Sequence, residues 1–338
     1  MILIDGSYLE GGGQIVRTAI SLSAVLNIPI KIINIRKNRK NPGLSNQHVS
    51  CVLAVSKLCN GKTEGLFKGS DTLLFYPGEI LEEDFTIDIK SAGSISLVIQ
   101  SLIPLSLLIK KTVEITIIGG TNVEFSPPID YMEQITLKFL KNIGINFKIE
   151  KINRGFFPEG KGSVKLKLMP SKVKNLELIE NTSKKINGII FNQNIDESVS
   201  NRIKKSAFDE LMKYGYDSRI NIENTTGKST GVGIFLWNNF LGSDFLGKKG
   251  ISSEKVGKRA VDQLIREIDT KMAIDNHLTD QIIPFMPFSE IKIGVSGITN
   301  HTLTNIYVVE RFFNVKFIIE DYLKNECNGY LIKTEKRC

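Results

Sequence analysis

A chain of 338 residues that is 41% hydrophobic and 24% charged can bury a substantial core, in one large domain or two. Four cysteines (Cys51, Cys59, Cys327, Cys338) without CxxC spacing and only three histidines argue against a disulfide scaffold and a structural zinc, and point to a reducing cytosol and a cytoplasmic protein. The formal charge of +8 favours an anionic partner, because clustered Lys and Arg concentrate phosphates around themselves.

In chain order, a strand is predicted from Met1 to Asp5. Met1 runs straight into Ile2-Leu3-Ile4, with no basic region ahead of a long apolar stretch, so no signal peptide is expected. A glycine turn, a helix from Gln14 to Leu26, a strand from Ile30 to Ile35, a helix from Ser45 to Cys59 and two extended segments follow. The order then recurs with strand Phe85 to Ile89, helix Ser94 to Ile109 and strand Val113 to Ile118. Pro127-Pro128 opens a helix from Asp130 to Asn142, and extended segments follow at Phe147 to Ile152 and Ser163 to Leu168. Ser94 to Ile109 is the most membrane-like run, but it holds Gln100 and Pro104 and is too short to span a bilayer, so no membrane partner is expected.

A third copy closes the chain: helix His277 to Phe288, strand Ile291 to Val295, helix Thr304 to Phe313, and strands Val315 to Ile319 and Tyr330 to Lys333. Its first strand is assigned to Leu176 to Ile179, so residues 182–272 interrupt the unit. They carry a pattern of their own, with strand Ile186 to Phe191, helix Ser198 to Tyr214, strand Gly231 to Trp237 and helix Ser253 to Lys271. The predicted fold class is α/β, with three repeated strand-helix-strand-helix-strand-strand units packed through their helices. Residues 1–181 and 273–338 form the core, and 182–272 a small inserted α/β domain. Ile15, Ala19, Leu22 and Leu26, like Ile95, Val98, Leu102 and Leu105, recur at helical spacing on apolar faces that suit such packing.

Several segments could carry chemistry. In Glu10-Gly11-Gly12-Gly13-Gln14-Ile15-Val16-Arg17, three glycines precede a helix, where backbone amides can cradle a phosphate. Glu10 suits a Mg²⁺ that phosphates bring with them, and Arg17 a phosphate oxygen; the alternative is a tight turn with a surface glutamate. The loop with Lys31, Arg36, Lys37, Arg39 and Lys40 is either a solvated charge run or a seat for a nucleic-acid backbone, with Arg36 and Arg39 as bidentate phosphate ligands. Gly227-Lys228-Ser229 imitates the end of a P-loop, but Ile222 stands where a glycine belongs and a strand-like run follows, so the match is a chance one. Among the histidines, His48 reads as a core or capping residue and His277 opens a helix. His301 follows a strand at the mouth of the next helix, where a neutral imidazole can attack phosphorus, its ordinary pKa being about 6.5. Judged alone, a loop histidine is more often a surface residue than a nucleophile.

Together, Asp5-Gly6 with Glu10 to Gln14 and Arg17, Ile35-Arg36 with Arg39 and Pro42-Gly43-Leu44, and Gln47-His48 resemble the opening of the RNA 3'-terminal phosphate cyclases. The similarity continues through Gly119-Gly120-Thr121, Pro127-Pro128, Arg154-Gly155 with Pro158, Asp280-Gln281, and His301 with Thr304-Asn305. The resemblance implies a three-repeat core with a smaller inserted domain, and a ligase-type, nucleotidyl-transferring reaction. In it a histidine attacks the α-phosphate of ATP, releases pyrophosphate and holds AMP. The AMP passes to an RNA 3'-phosphate and is displaced by the vicinal 2'-hydroxyl, leaving a 2',3'-cyclic phosphate.

By motif position the resemblance implies His301 as nucleophile, Glu10 as ligand to Mg²⁺ or Mn²⁺, and Gln14 and Arg17 facing phosphates. Arg36 and Arg39 would guide the RNA end or the ATP tail. Gln100, Pro127, His277, Leu278, Thr279, Asp280 and Gln281 would form the ATP pocket, with Pro127 and His277 as faces for adenine; many family members have Tyr at the latter position. The implied partner is RNA with a 3'-phosphate end, and a homodimer is left open. Two other classes stand beside this one. Cyclase-like RNA-binding factors of ribosome assembly lack the histidine, and enolpyruvyl-transferring enzymes share a related repeat architecture without needing a nucleophilic histidine beside the glycine turn.

Overall fold

The computed structural model describes residues 1–324 and 326–337; Cys338 lies outside the described residues. The chain begins with β1 (Ile2–Asp5), α1 (Gln14–Leu26), β2 (Ile30–Ile33), α2 (Asn46–Leu58), β3 (Lys62–Glu64) and β4 (Leu73–Tyr76), whose strands form a sheet ordered β1-β2-β4-β3. Next come β5 (Phe85–Asp88), α3 (Ile95–Leu102), β6 (Val113–Gly119), α4 (Ile129–Tyr131), α5 (Leu137–Asn142), β7 (Phe147–Asn153) and β8 (Gly162–Leu168), in a sheet ordered β5-β6-β8-β7. After β9 (Leu176–Leu178), the elements β10 (Ile186–Gln193), α6 (Glu197–Lys213), β11 (Ser218–Thr225), β12 (Gly231–Asn238), β13 (Leu241–Leu246) and α7 (Ser253–Asp269) contribute a sheet ordered β11-β10-β12-β13. The chain ends with α8 (Asn276–Ile282), β14 (Ile291–Val295), α9 (Asn300–Phe312), β15 (Val315–Tyr322) and β16 (Gly329–Lys336), and these strands take up β9 in the order β15-β16-β14-β9. The fold is therefore mixed α/β, with four four-stranded sheets among the described residues.

Period-two patterning explains the strands: in β6, Val113, Ile115 and Ile117 are buried while Glu114, Thr116 and Ile118 are only partly so. In α1, Ile15, Ala19 and Leu22 are fully buried. Small residues let this helix approach its neighbours closely, and Ser21 Oγ donates to the Ser101 carbonyl at 2.7 Å. One apolar core runs through the first, second and last sheets; a second is built only from residues between Ile186 and Ile268. No helix among the described residues is long and apolar enough to cross a membrane.

Of three local departures from the predicted helices, two trace to a proline. The helix expected over Ser94 to Ile109 is α-helical only through Leu102 and continues as a 3₁₀ stretch, Ile103–Leu107, because Pro104 has no N–H to return to the preceding turn. Pro284 does the same to the helix expected to Phe288, where α8 yields to a 3₁₀ stretch, Ile283–Phe288. Between α4 and α5 the chain takes a π turn, Met132–Thr136. Strands β11 and β13 were not among the predicted elements: β11 reads Ser-Arg-Ile-Asn-Ile-Glu-Asn-Thr, an edge strand with only Ile220 and Ile222 turned to apolar neighbours.

Candidate functional site

The carboxyl ends of β1, β2 and β14 lead through loops into α1, α2 and α9, the edge at which open α/β units gather ligands. Helices α1 and α9 pack together, and Thr18 Oγ1 donates to Asn305 Oδ1 at 2.8 Å. This contact sets the glycine turn beside the start of α9.

The turn needs its glycines for space. A Cβ at Gly12 would lie 1.9 Å from Gln14 Oε1, and one at Gly13 would lie 1.9 Å from His48 Nε2. Those two side chains occupy the volume the missing methylenes leave. His48 is both core and cap, as its sequence position suggested: it is buried, and its Nδ1 accepts from the Ser45 N–H at 3.0 Å. Burial first, then the charges of Arg17 and Arg36, push its pKa down to about 3, so the ring is neutral with its proton on Nε2. Gln14 is buried and its Nε2 has no hydrogen-bond partner among the described residues.

His301 is the second residue of α9, so it lies in the first helical turn and not in the loop before it. The signal for that start was present in Thr299, which caps the helix by accepting from the Thr302 N–H at 3.0 Å. Asp280 of α8 holds the same turn: its Oδ1 accepts from Thr302 Oγ1 at 2.7 Å and from Thr299 Oγ1 at 3.1 Å, and its carbonyl accepts from Asn305 Nδ2 at 2.9 Å. Burial pushes the Asp280 carboxyl up to about 6 against those hydrogen bonds.

Glu10 brings the separate loops together. Its Oε2 is 3.1 Å from an Arg39 guanidinium nitrogen, and its Oε1 comes to 2.8 Å from His301 Nδ1 without completing a hydrogen bond. Burial lowers the His301 pKa, Glu10 raises it, and Arg17, Arg39 and His277 lower it again; the outcome is a ring more acidic than ordinary imidazolium. The guanidinium of Arg17, a half-buried residue, makes no hydrogen bond among the described residues and lies within electrostatic reach of Asp280 and His301. Arg36 has a left-handed backbone, φ 55°, and spends one donor on the Gly43 carbonyl at 3.0 Å, bracing the basic loop.

The expected ATP-pocket residues divide. Gln100 Nε2 reaches Met132 Sδ at 3.8 Å, Thr136 Oγ1 donates to Gln281 Oε1 at 2.9 Å, and Gln281 Nε2 donates to the His277 carbonyl at 3.1 Å. These contacts form a continuous line from α3 to α8. His277 is exposed and Pro127 half-buried. Leu278 and Thr279 are fully buried, the Leu278 N–H donates to Asp275 Oδ1 at 2.7 Å and Thr279 Oγ1 donates to the Asp275 carbonyl at 2.9 Å, so both are turned to the core and stand behind the residues that can meet a ligand.

For a divalent cation, no group of three or more His, Cys, Asp or Glu side chains that could hold one stands together among the described residues. Glu10 fits the lesser role of a single carboxylate ligand, since its Oε1 lacks a hydrogen bond and Mg²⁺ takes most of its ligands from phosphate and water.

The fold and this cluster define an α/β protein whose imidazole, carboxylate and guanidinium groups converge at one strand edge. The family model of RNA 3'-terminal phosphate cyclase matches residues 8–319, and the chain belongs to that family. Relatives named RNA 3'-terminal phosphate cyclase include one from Pyrococcus furiosus, 44% identical over 95% of both chains. One from Thermococcus kodakarensis is 42% identical over 94% of both. Another, from Methanosarcina acetivorans, is 40% identical over 95% of this chain and 97% of its own.

Proposed function

We propose that this chain is an ATP-dependent RNA 3'-terminal phosphate cyclase of the cytoplasm, converting an RNA 3'-phosphate to a 2',3'-cyclic phosphate with release of AMP and pyrophosphate. The observation that carries the reading is the meeting of His301 with Glu10 and Arg39, drawn from opposite ends of the chain. Family membership supports the RNA end as substrate.

With Nδ1 facing Glu10, Nε2 is the free nitrogen of His301. Its lone pair attacks the α-phosphorus of ATP; the N–P bond forms, the bond to the bridging oxygen breaks, and pyrophosphate leaves. The Glu10 carboxylate balances the charge the ring acquires. An oxygen of the RNA 3'-phosphate then attacks the same phosphorus, and the N–P electron pair returns to Nε2. Finally the 2'-hydroxyl attacks the 3'-phosphorus, passes its proton to the freed imidazole and expels AMP.

Gln14 and Arg17 offer donors that the protein leaves unused, suited to phosphate oxygens. Arg36 and Arg39 would guide the RNA end, and Gln100, Pro127, His277, Asp280 and Gln281 would border the nucleotide. Mg²⁺ or Mn²⁺ held by Glu10 would supply neutralisation of phosphate charge.

We read the three sheets of like strand order as three repeats, formed by residues 1–181 and 273–338. The sheet and second core within 182–272 are read as an inserted domain. The test is direct: incubated with ATP, Mg²⁺ and a 3'-phosphorylated oligoribonucleotide, the protein should render the end resistant to phosphatase, and an end that stays sensitive contradicts the proposal.

A further inference from the structure

A cavity of about 430 Å³ lies on the flank of α9, lined by Tyr8, Leu9, Leu303, Tyr307, Arg311 and Arg337 among others. None of these residues has a part in the cluster described above. We propose that this groove seats the RNA nucleotides immediately upstream of the reacting end, with a base on the Tyr8 ring and backbone phosphates on Arg311 and Arg337. The inference rests on the proposed RNA substrate.

The volume is within the range of ligand clefts. Its wall is a built stack: the Tyr8 and Tyr307 rings lie 4.0 Å apart at 14°, and the Arg311 guanidinium sits 4.9 Å over Tyr307. The Tyr307 hydroxyl accepts from the Asp5 N–H at 3.2 Å, which fixes the stack to the end of β1. Tyr8 nevertheless stays 40% exposed, and Leu9 and Leu303 beside it are also exposed, an apolar surface with an aromatic face available. The Arg311 guanidinium makes no hydrogen bond or ion pair among the described residues, so its donors are free. Arg337 is held at 2.5 Å by Glu310, whose other oxygen accepts from the Phe317 N–H at 3.0 Å.

Position argues for continuity with the reacting centre. Leu9 precedes Glu10, the residue against His301, and Leu303 is two residues beyond His301 on the same helix. On α9 Leu303 points about 160° round the helix from His301, so a strand leaving the groove reaches that histidine by way of Leu9 and Glu10, past the start of the helix. Stacked aromatic faces beside guanidinium groups suit single-stranded RNA, whose bases stack while its phosphates pair. An acidic peptide would need the arginines but not the tyrosine.

The test is equilibrium binding of a 3'-phosphorylated oligoribonucleotide to the full chain by fluorescence polarisation, without ATP. Tyr8→Ser should weaken binding about tenfold. Arg311→Ala should weaken it and lower the slope of log K against log salt by about 0.7, with Arg311→Lys restoring the slope. Leu303→Asp, at an exposed position, provides a second disruption should Tyr8→Ser unfold, as thermal melts would reveal. A change of less than about twofold in folded Tyr8→Ser and Leu303→Asp overturns the groove, even where Arg311→Ala weakens binding, since that pattern is charge attraction alone. Absence of cyclisation by the wild type would defeat the cyclase reading while these affinities still judged the groove.

Discussion

At His301 the balance of neighbours sets the pH range in which the ring can attack. Burial lowers the pKa, Glu10 raises it, and Arg17, Arg39 and His277 lower it, with a net downward shift. The nucleophile is the neutral ring, so its population falls only as pH drops below the shifted value. The rate of enzyme adenylylation should therefore be level through neutral pH, with an acid limb whose midpoint lies below 6.5, the ordinary value; a midpoint above it contradicts the assignment. Asp280 acts on the same ring at one remove, through Thr299 and Thr302. Asp280→Ala should lower single-turnover adenylylation by about 100-fold, the scale of a misplacement near 1 Å, while the overall fold by circular dichroism is kept. None of this was legible in the sequence, because the partners are 19 and 22 residues apart along the chain and no spacing rule connects them. Thr299 as a helix cap was legible, and with it the placement of His301 in the first turn.

The elements are held by charges that helical and strand patterning cannot disclose. Arg154, just past β7, forms an ion pair with Asp130 at 2.8 Å and with Glu223 of β11 at 2.5 Å, and Asn122 Oδ1 accepts from it at 3.0 Å. Burial alone would raise the Asp130 carboxyl, but Arg154 and Lys151 outweigh it and hold the group well below the usual carboxylate range. This stabilisation is present above the ordinary pKa of 3.8 and is lost as pH falls through the lower folded value. Arg154→Ala leaves the buried Asp130 with Lys151, at 2.9 Å, as its remaining cation, and should cost about 3 kcal/mol in urea unfolding at neutral pH, the low end for breaking a buried pair. Because Glu223 is the third partner, the loss should also free the β11 edge from the second sheet, seen as faster amide exchange in residues 218–225. The segment's polar alternation hid it as a strand, just as Pro104 and Pro284 shortened helices that apolar spacing made look continuous.

Across the whole molecule, fully or partly buried acids oppose that network. Asp244 and Glu267 are pushed up to about 7, and Asp275 to about 6, burial being the first cause in each. An acid whose folded pKa lies above its unfolded one stabilises most at low pH, and that contribution is lost as pH rises from the unfolded toward the folded value. For Asp244 the window runs from 3.8 to about 7, so Asp244→Asn should raise the melting temperature relative to wild type at alkaline pH and change it little near pH 4. The mixed α/β class was readable because apolar periods of two and 3.6 survive in most elements, whereas the order of strands within each sheet, with the last two transposed as in β1-β2-β4-β3, is set by pairing that no period discloses. The meeting of Glu10, Arg39 and His301 depends on packing across nearly the full chain, and only the family resemblance anticipated it.

The claim on which the rest depends is that His301 carries AMP. The full chain incubated with α-labelled ATP and Mg²⁺ or Mn²⁺, without RNA, should acquire an acid-labile, base-stable label that His301→Ala lacks. An intact wild-type protein that takes up no label, or a His301→Ala variant labelled as well as the wild type, would contradict the account.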